Sequence, residues 1–176
     1  MTTDHPDACG TLIEPATLQI RRLLPGPIER VWAYLTESEL RRQWLASGAM
    51  PSQPGAPFEF VWRNDELACP PSPRPAGFPE ENRMQCLIRE CDPPHRLAFT
   101  WGTDSEVSIE LTPRGKQVEL TLVHRRLPDR DSTLSVSAGW HAHLDILVAL
   151  VGDVPAPPFW DAWQRLRQEY ERRLPR

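Results

Sequence analysis

Residues 96–124 read RLAFTWGTDSEVSIELTPRGKQVELTLVH, three short segments in which apolar and polar side chains alternate. Successive side chains of a β-strand point to opposite faces, so this alternation predicts strands with one buried face. Short turns at residues 102–104 and 114–116 join the segments, which favours antiparallel neighbours. The stretch therefore predicts an antiparallel meander whose apolar face has to be covered by another element.

More strands are predicted toward the N-terminus of this meander. Alternation around Phe60 predicts a strand over residues 58–62, and residues 17–24 and 82–91 have the same character. Residues 65–82 contain five prolines and predict a long loop, because proline removes a backbone donor and disfavours helix in the preceding residue. The sheet is thus expected to have about six strands.

Helical spacing of apolar residues predicts the remaining elements. Residues 27–35 and 38–45 predict two short helices after the first strand. Residues 139–151 place Trp140 and other large apolar side chains on one stripe, which makes this helix the expected cover of the sheet. A last helix is predicted over residues 159–174. The fold class is therefore α+β.

Composition narrows the classes of function. The chain has 176 residues and a formal net charge of -4, with no basic tract, so nucleic-acid binding is not supported. No apolar run reaches the roughly 20 residues of a membrane span, and the N-terminus lacks a signal peptide, which predicts a cytoplasmic protein. We divide the chain into a flexible tail (1–15), one domain (16–153) and a C-terminal helical extension (154–176).

The four cysteines show no paired spacing and are predicted to be free thiols. They are Cys9, Cys69, Cys86 and Cys91. A zinc site built from Cys86, Cys91 and a histidine is disfavoured, since the usual paired ligands are missing. Neither a metal nor another cofactor is predicted.

Four groups of residues, in order along the chain, show a family resemblance. The first two are IERVW at 28–32 with Leu40 and Trp44, and FEF at 58–60. The last two are DPPHRL at 92–97 with Thr100 and Trp101, and Gly139 and Trp140 with Leu144 and Leu147. Together they resemble the SRPBCC superfamily, also described as START-like or birch-pollen-allergen-like. Within it the chain looks most like the AHSA-type branch, named after an activator of a heat-shock chaperone ATPase. The similarity covers about residues 17–151.

This resemblance implies a helix-grip fold, in which a curved antiparallel sheet wraps around a long C-terminal helix. It also implies a cavity between sheet and helix. Members of the superfamily typically bind lipids, sterols, polyketides or other hydrophobic molecules there, and a minority act as cyclases, aromatases or hydrolases. Chaperone-activating members contact a partner protein. No fixed catalytic motif runs through the branch, so the resemblance assigns no catalytic residue.

Candidate ligand-binding residues follow from strand parity and from the helix stripes. The apolar side chains expected to face the cavity are Trp44, Phe60, Trp62, Met84, Cys86, Phe99, Trp101, Ile109, Leu120, Leu122, Trp140, Leu144 and Leu147. The alternative for each is that it simply packs in the core.

Three histidines complete the candidate set. His124 continues the inward parity of its strand, and we take it as a ligand contact and as the candidate general acid or base; the alternative is a strand-end histidine facing water. His141 and Asp145 are four residues apart on the long helix, and a solvent-side pair is favoured over a buried couple. His143 lies on another face of that helix.

Three hypotheses about function remain open. The first is binding of a small hydrophobic molecule without catalysis. The second is a cyclase- or hydrolase-type enzyme acting on an aromatic or polyketide-like substrate. The third is a co-chaperone-like interaction module, in which Trp160, Trp163 and Tyr170 of the C-terminal helix form an exposed patch; the alternatives are that these residues pack on the same chain or form a homodimer contact.

Overall fold

A computed structural model describes residues 7–67 and 70–176 and has the predicted α+β helix-grip architecture. Seven antiparallel strands form one curved sheet: β1 (Thr11–Glu14), β2 (Thr17–Pro25), β3 (Pro57–Trp62), β4 (Asn82–Asp92), β5 (Arg96–Trp101), β6 (Ser105–Arg114) and β7 (Gln117–Arg125). Their order across the sheet is β1-β2-β7-β6-β5-β4-β3. The helices are α1 (Ile28–Thr36), α2 (Ser38–Arg41), α3 (Arg130–Val151) and α4 (Phe159–Arg173), and a 3₁₀ turn spans Asn64–Leu67.

The seventh strand lies where the sequence predicts a flexible tail. Thr11–Glu14 pairs with β2 at the edge of the sheet, with Thr11 opposite Gln19, so the prediction of a tail over residues 1–15 is wrong for this segment. Residues 1–6 lie outside the described part. A four-residue strand is too short to show alternation. The tight turn before β2 uses Ala16 at φ 61, a conformation that sequence patterns rarely reveal for alanine.

Two helices differ in length from their predictions. The helix α2 ends at Arg41 instead of residue 45. The helix α3 begins at Arg130 instead of residue 139, and the Asp129 carboxylate caps it by accepting a hydrogen bond from the Ser132 amide at 2.7 Å. The first turns of α3 are rich in serine and threonine, so they carry no clear apolar stripe.

The long helix α3 packs against the sheet as the central core helix. Of the described helices it alone is long and apolar enough to cross a membrane, and 67% of its most apolar window is buried inside the protein. The Trp140 indole N–H of α3 donates to His124 Nδ1 of β7 at 3.1 Å, which ties the helix to the sheet. Phe60 of β3 and Leu122 of β7 are buried, as the alternation in their strands predicts. Leu144 of α3 is buried, as the apolar stripe of that helix predicts.

A buried arginine fixes the connection between the two short helices and β3. Arg41 has no carboxylate partner among the described residues; instead its guanidinium donates to the carbonyl oxygens of Ala46 at 3.1 Å, Leu35 at 3.3 Å and Gly48. It also lies 5.3 Å from the centre of the Phe60 ring. Burial lowers the pKa of Arg41 to about 10, so the side chain stays charged at neutral pH.

Candidate ligand cavity

A cavity of about 280 Å³ lies between the sheet, α3 and α4. Most of its lining is apolar, and the side chains come from β3 to β5 (Trp62, Met84, Trp101), from α3 (Val136, Gly139, Trp140, His143), from α4 (Phe159, Trp160, Trp163), and from Leu45, Phe78 and Pro79. Four polar residues join them: Asn64, Glu80, Asn82 and Ser135. An apolar space with a few polar groups is the usual composition of a small-molecule site.

Three tryptophans from the sheet and α3 form the inner wall. The ring of Trp101 lies 5.4 Å from that of Trp62 and 5.2 Å from that of Trp140, with tilted or edge-on contacts. Such edge-on and tilted contacts are ordinary for packed aromatic rings. The three rings thus form a continuous inner boundary of the cavity.

The helix α4 and the proline-rich segment form the outer wall. Trp160 and Trp163 are only 2% and 8% exposed, and the ring of Phe78 lies 5.2 Å and 5.0 Å from theirs. Both indole N–H groups donate within the protein, Trp160 to Asp65 Oδ1 at 2.7 Å and Trp163 to the Ser135 carbonyl at 3.3 Å. The proline-rich segment thus contacts α4 through Phe78 and narrows the cavity mouth.

Four of the predicted apolar contacts line this cavity: Trp62, Met84, Trp101 and Trp140. The other nine pack in the core and do not reach it, each being at most 2% exposed: Trp44, Phe60, Cys86, Phe99, Ile109, Leu120, Leu122, Leu144 and Leu147. Parity identifies the buried face of a strand correctly. It does not identify where along that face packing leaves space.

His124 lies one layer behind the cavity wall. It is fully buried, and its Nδ1 accepts the Trp140 indole hydrogen bond while its ring lies 5.2 Å from that of Trp101. The alternative of a histidine facing water is therefore wrong, and His124 does not line this cavity. Burial lowers the pKa of His124 to about 4, and its Nε2 has no hydrogen-bond partner among the described residues.

His143 is the histidine of the cavity wall, and sequence reasoning missed it. Its Nδ1 lies 2.8 Å from the Trp44 carbonyl oxygen, and its ring lies 4.4 Å from that of Phe159 at an angle of 33°. Burial lowers its pKa to about 4, although the Trp44 carbonyl favours the protonated form. Gly139 and His143 lie four residues apart on one face of α3, a signal that gains meaning only once α4 is known to cover that face.

His141 is buried and its partner Asp145 is 33% exposed, so the expectation of a solvent-side pair is wrong for the histidine. His141 Nε2 lies 3.3 Å from Asp145 Oδ2, and its Nδ1 lies 2.9 Å from the Tyr170 hydroxyl of α4. That hydroxyl accepts from the Gly10 amide at 2.7 Å, and Arg22 binds Asp145 at 3.1 Å. The group joins β2, α3, α4 and the N-terminal segment away from the cavity lining.

The described thiols carry no sign of metal or nucleophilic chemistry. Cys9, Cys86 and Cys91 form no disulfide with one another, and Cys69 lies outside the described residues. Burial raises the pKa of the Cys86 thiol to about 12, which keeps it protonated. Within residues 7–67 and 70–176, no three His, Cys, Asp or Glu side chains lie close enough together to hold a metal ion.

Several solved structures are similar to this chain. The protein encoded by gene BPP1335 from Bordetella parapertussis is 41% identical, with a TM-score of 0.81 over 97% of this chain and 93% of that one. CalU16 from Micromonospora echinospora is 22% identical, with a TM-score of 0.64 over 93% of each chain. DynU16, a protein in the dynemicin biosynthetic locus, is 18% identical, with a TM-score of 0.64 over 82% of this chain and 51% of that one. The likeness to the last two shows the fold alone.

The family comparison agrees with the resemblance noted from sequence. No curated protein matches this chain. The sequence model of the family described as activator of Hsp90 ATPase homolog 1-like protein matches residues 25–152. This range contains α1 to α3 and ends before α4. The chain therefore belongs to this family, the AHSA-type branch of the SRPBCC superfamily.

Proposed function

We propose that the protein binds a small hydrophobic molecule in the cavity between the sheet, α3 and α4. The observation that carries this proposal is a largely apolar, partly open cavity of about 280 Å³ bordered by the sheet, α3 and α4. An apolar void of roughly 150 Å³ holds one benzene molecule. The cavity therefore suits a ligand of one or two rings better than a sterol or a long polyketide.

Catalysis in this cavity has weaker support. A general acid or base works best with a pKa near the operating pH, and the two histidines closest to the site, His124 and His143, have pKa values of about 4. Cys86, with its raised pKa, is a poor nucleophile and lies behind the wall. A cyclase- or hydrolase-type activity therefore stays the second candidate, with His143 instead of His124 as the residue to test.

The interaction-module hypothesis has weaker support, because it requires an exposed apolar patch on the C-terminal helix. Trp160, Trp163 and Tyr170 are buried against the same chain, so they form no exposed apolar patch. A partner protein or a homodimer stays a prediction without a defined contact surface.

Native mass spectrometry of the full chain tests ligand binding, with two variants of Gly139 as a matched pair. A Cβ added at Gly139 would have only Trp163 Nε1 near it, at 4.0 Å, so a side chain there extends into open space. Gly139→Leu should fill the cavity and abolish the adduct of a co-purified or added aromatic molecule, whereas Gly139→Ala should keep it. An adduct of equal occupancy in Gly139→Leu would place the ligand elsewhere and overturn the proposal.

A further inference from the structure

The hydrogen bond to Trp44 fixes which nitrogen of His143 carries a proton. The Trp44 carbonyl oxygen can only accept, so Nδ1, at 2.8 Å from it, must be the N–H donor. In the neutral ring Nε2 then carries a lone pair, and no described protein group donates to it. Burial keeps the ring neutral above about pH 4, because it lowers the pKa of His143.

The orientation of the ring is also fixed. Turning the His143 ring by 180° would place Cδ2 against the Trp44 carbonyl and leave that buried oxygen without a donor. The stacked Phe159 ring, at 4.4 Å, limits any other rotation. The cavity wall therefore presents an acceptor in a defined position.

The other polar groups of the cavity point to the same ligand chemistry. Glu80 adds a carboxylate to the lining, whereas none of the described lining residues is a lysine or arginine. Asn64 also lines the cavity, but its Oδ1 is fully buried and is not accessible to a ligand. The indole N–H groups of Trp160 and Trp163 already donate to protein oxygens. An anionic ligand would find no countercharge here, whereas a neutral ligand with an O–H or N–H group could donate to His143 Nε2.

We infer that the cavity selects a neutral aromatic molecule of one or two rings that carries an O–H or N–H group, and that His143 Nε2 accepts a hydrogen bond from this group. The inference rests on the proposed ligand-binding function and adds the chemical class of the ligand. His143 thereby distinguishes ligands of equal size and hydrophobicity.

Three probes of one size test the inference on the full-length protein by isothermal titration calorimetry. They are 2-naphthol, which donates; 2-methoxynaphthalene, in which the donor is blocked; and 2-naphthoate, which is an anion at pH 7. We expect 2-naphthol to bind about five- to tenfold more tightly than the methyl ether, since the bound ether covers His143 Nε2 without donating a hydrogen bond to it. The naphthoate should bind more weakly than both. Equal affinities for alcohol and ether, or tightest binding of naphthoate, overturn the inference.

Two variants of His143 test whether Nε2 is the acceptor that causes the preference for the alcohol over the ether. The amide nitrogen of His143→Asn lies where Nδ1 lies in histidine, so this variant keeps the donor to Trp44 and loses the acceptor at Nε2. Its preference for the alcohol over the ether should disappear, and the ratio of the two affinities within the variant is the readout. The longer His143→Gln places an amide oxygen near the Nε2 position and should retain the preference. A preference that persists in His143→Asn refutes the assignment.

The same measurements distinguish a failure of this inference from a failure of the proposed ligand-binding function. If no naphthalene probe binds the wild-type protein, the proposed cavity function fails together with the inference. If the probes bind wild type equally and Gly139→Leu abolishes binding, the cavity function stands and the ligand class is wrong. Should either His143 variant fail to fold, the alcohol and ether comparison on wild type still decides.

Discussion

Acidification from pH 8 to pH 5 should lower the free energy of unfolding by about 4 kcal/mol through two buried histidines. His124 and His143 are 0% and 6% exposed, no carboxylate in the described part of the chain pairs with either ring, and burial lowers the pKa of each to about 4. In an unfolded chain the pKa of histidine is about 6.5. Between these values the unfolded state binds more protons than the folded state, so stability falls as the pH falls.

The magnitude follows from the two pKa values. At pH 5 an unfolded histidine is almost fully protonated, whereas a buried one with a pKa of about 4 is protonated to roughly a tenth. Each of the two residues then contributes about 2 kcal/mol of destabilisation relative to pH 8. Above about pH 7 both states are neutral at these positions and the contribution vanishes.

Urea unfolding followed by tryptophan fluorescence at pH 8, 7, 6 and 5 measures this dependence. His124→Asn and His143→Asn should each remove about half of it, because asparagine does not titrate and can keep the bond to Trp140 or Trp44. His95→Asn, at an exposed turn position, is the matched control and should leave the dependence intact. A change below about 1 kcal/mol between pH 8 and pH 5, or full dependence in both buried-site variants, would refute the reasoning.

Three substitutions test other features of the packing by urea unfolding. Gly139→Ala should stabilise the protein by about 0.5–1 kcal/mol, because glycine is a poor helix former and the added methyl has room beside Trp163; a loss of stability would contradict this. Arg41→Ala should cost about 3–5 kcal/mol by leaving several buried carbonyls without donors, and Arg41→Lys should recover only part; a cost below about 1 kcal/mol would count against the network. Tyr170→Phe should cost about 1–3 kcal/mol, since the Gly10 amide loses its acceptor, and an unchanged midpoint would show that this bond adds nothing.

The periodicity of apolar residues predicted most of the strands and helices, because one face of each long element is buried. The alternation in residues 96–124 and the stripe containing Trp140 gave the meander and its covering helix, and both are present. The edge strand Thr11–Glu14 was missed because four residues are fewer than the pattern needs. The start of α3 was missed because Asp129 caps a turn that has no apolar stripe.

The candidate site was harder to predict because it depends on how elements meet. Trp62 and Trp101 were assigned to the buried face of the sheet and line the cavity. Phe60 and Phe99 lie on the same face, but they are buried in the core and do not line the cavity. Which of these neighbours borders a void is decided by the packing of α4, and no single-strand pattern contains that information. His143 was passed over for the same reason.

The helix that closes the cavity stands apart from the part of the chain that defines the family. The family match ends at residue 152, whereas Phe159, Trp160 and Trp163 of α4 supply a whole side of the lining. On the proposed function, side-chain changes confined to this helix would alter the shape and polarity of the cavity without changing the sheet. Exchanging α4 for that of a homologue should therefore change which aromatic probe binds.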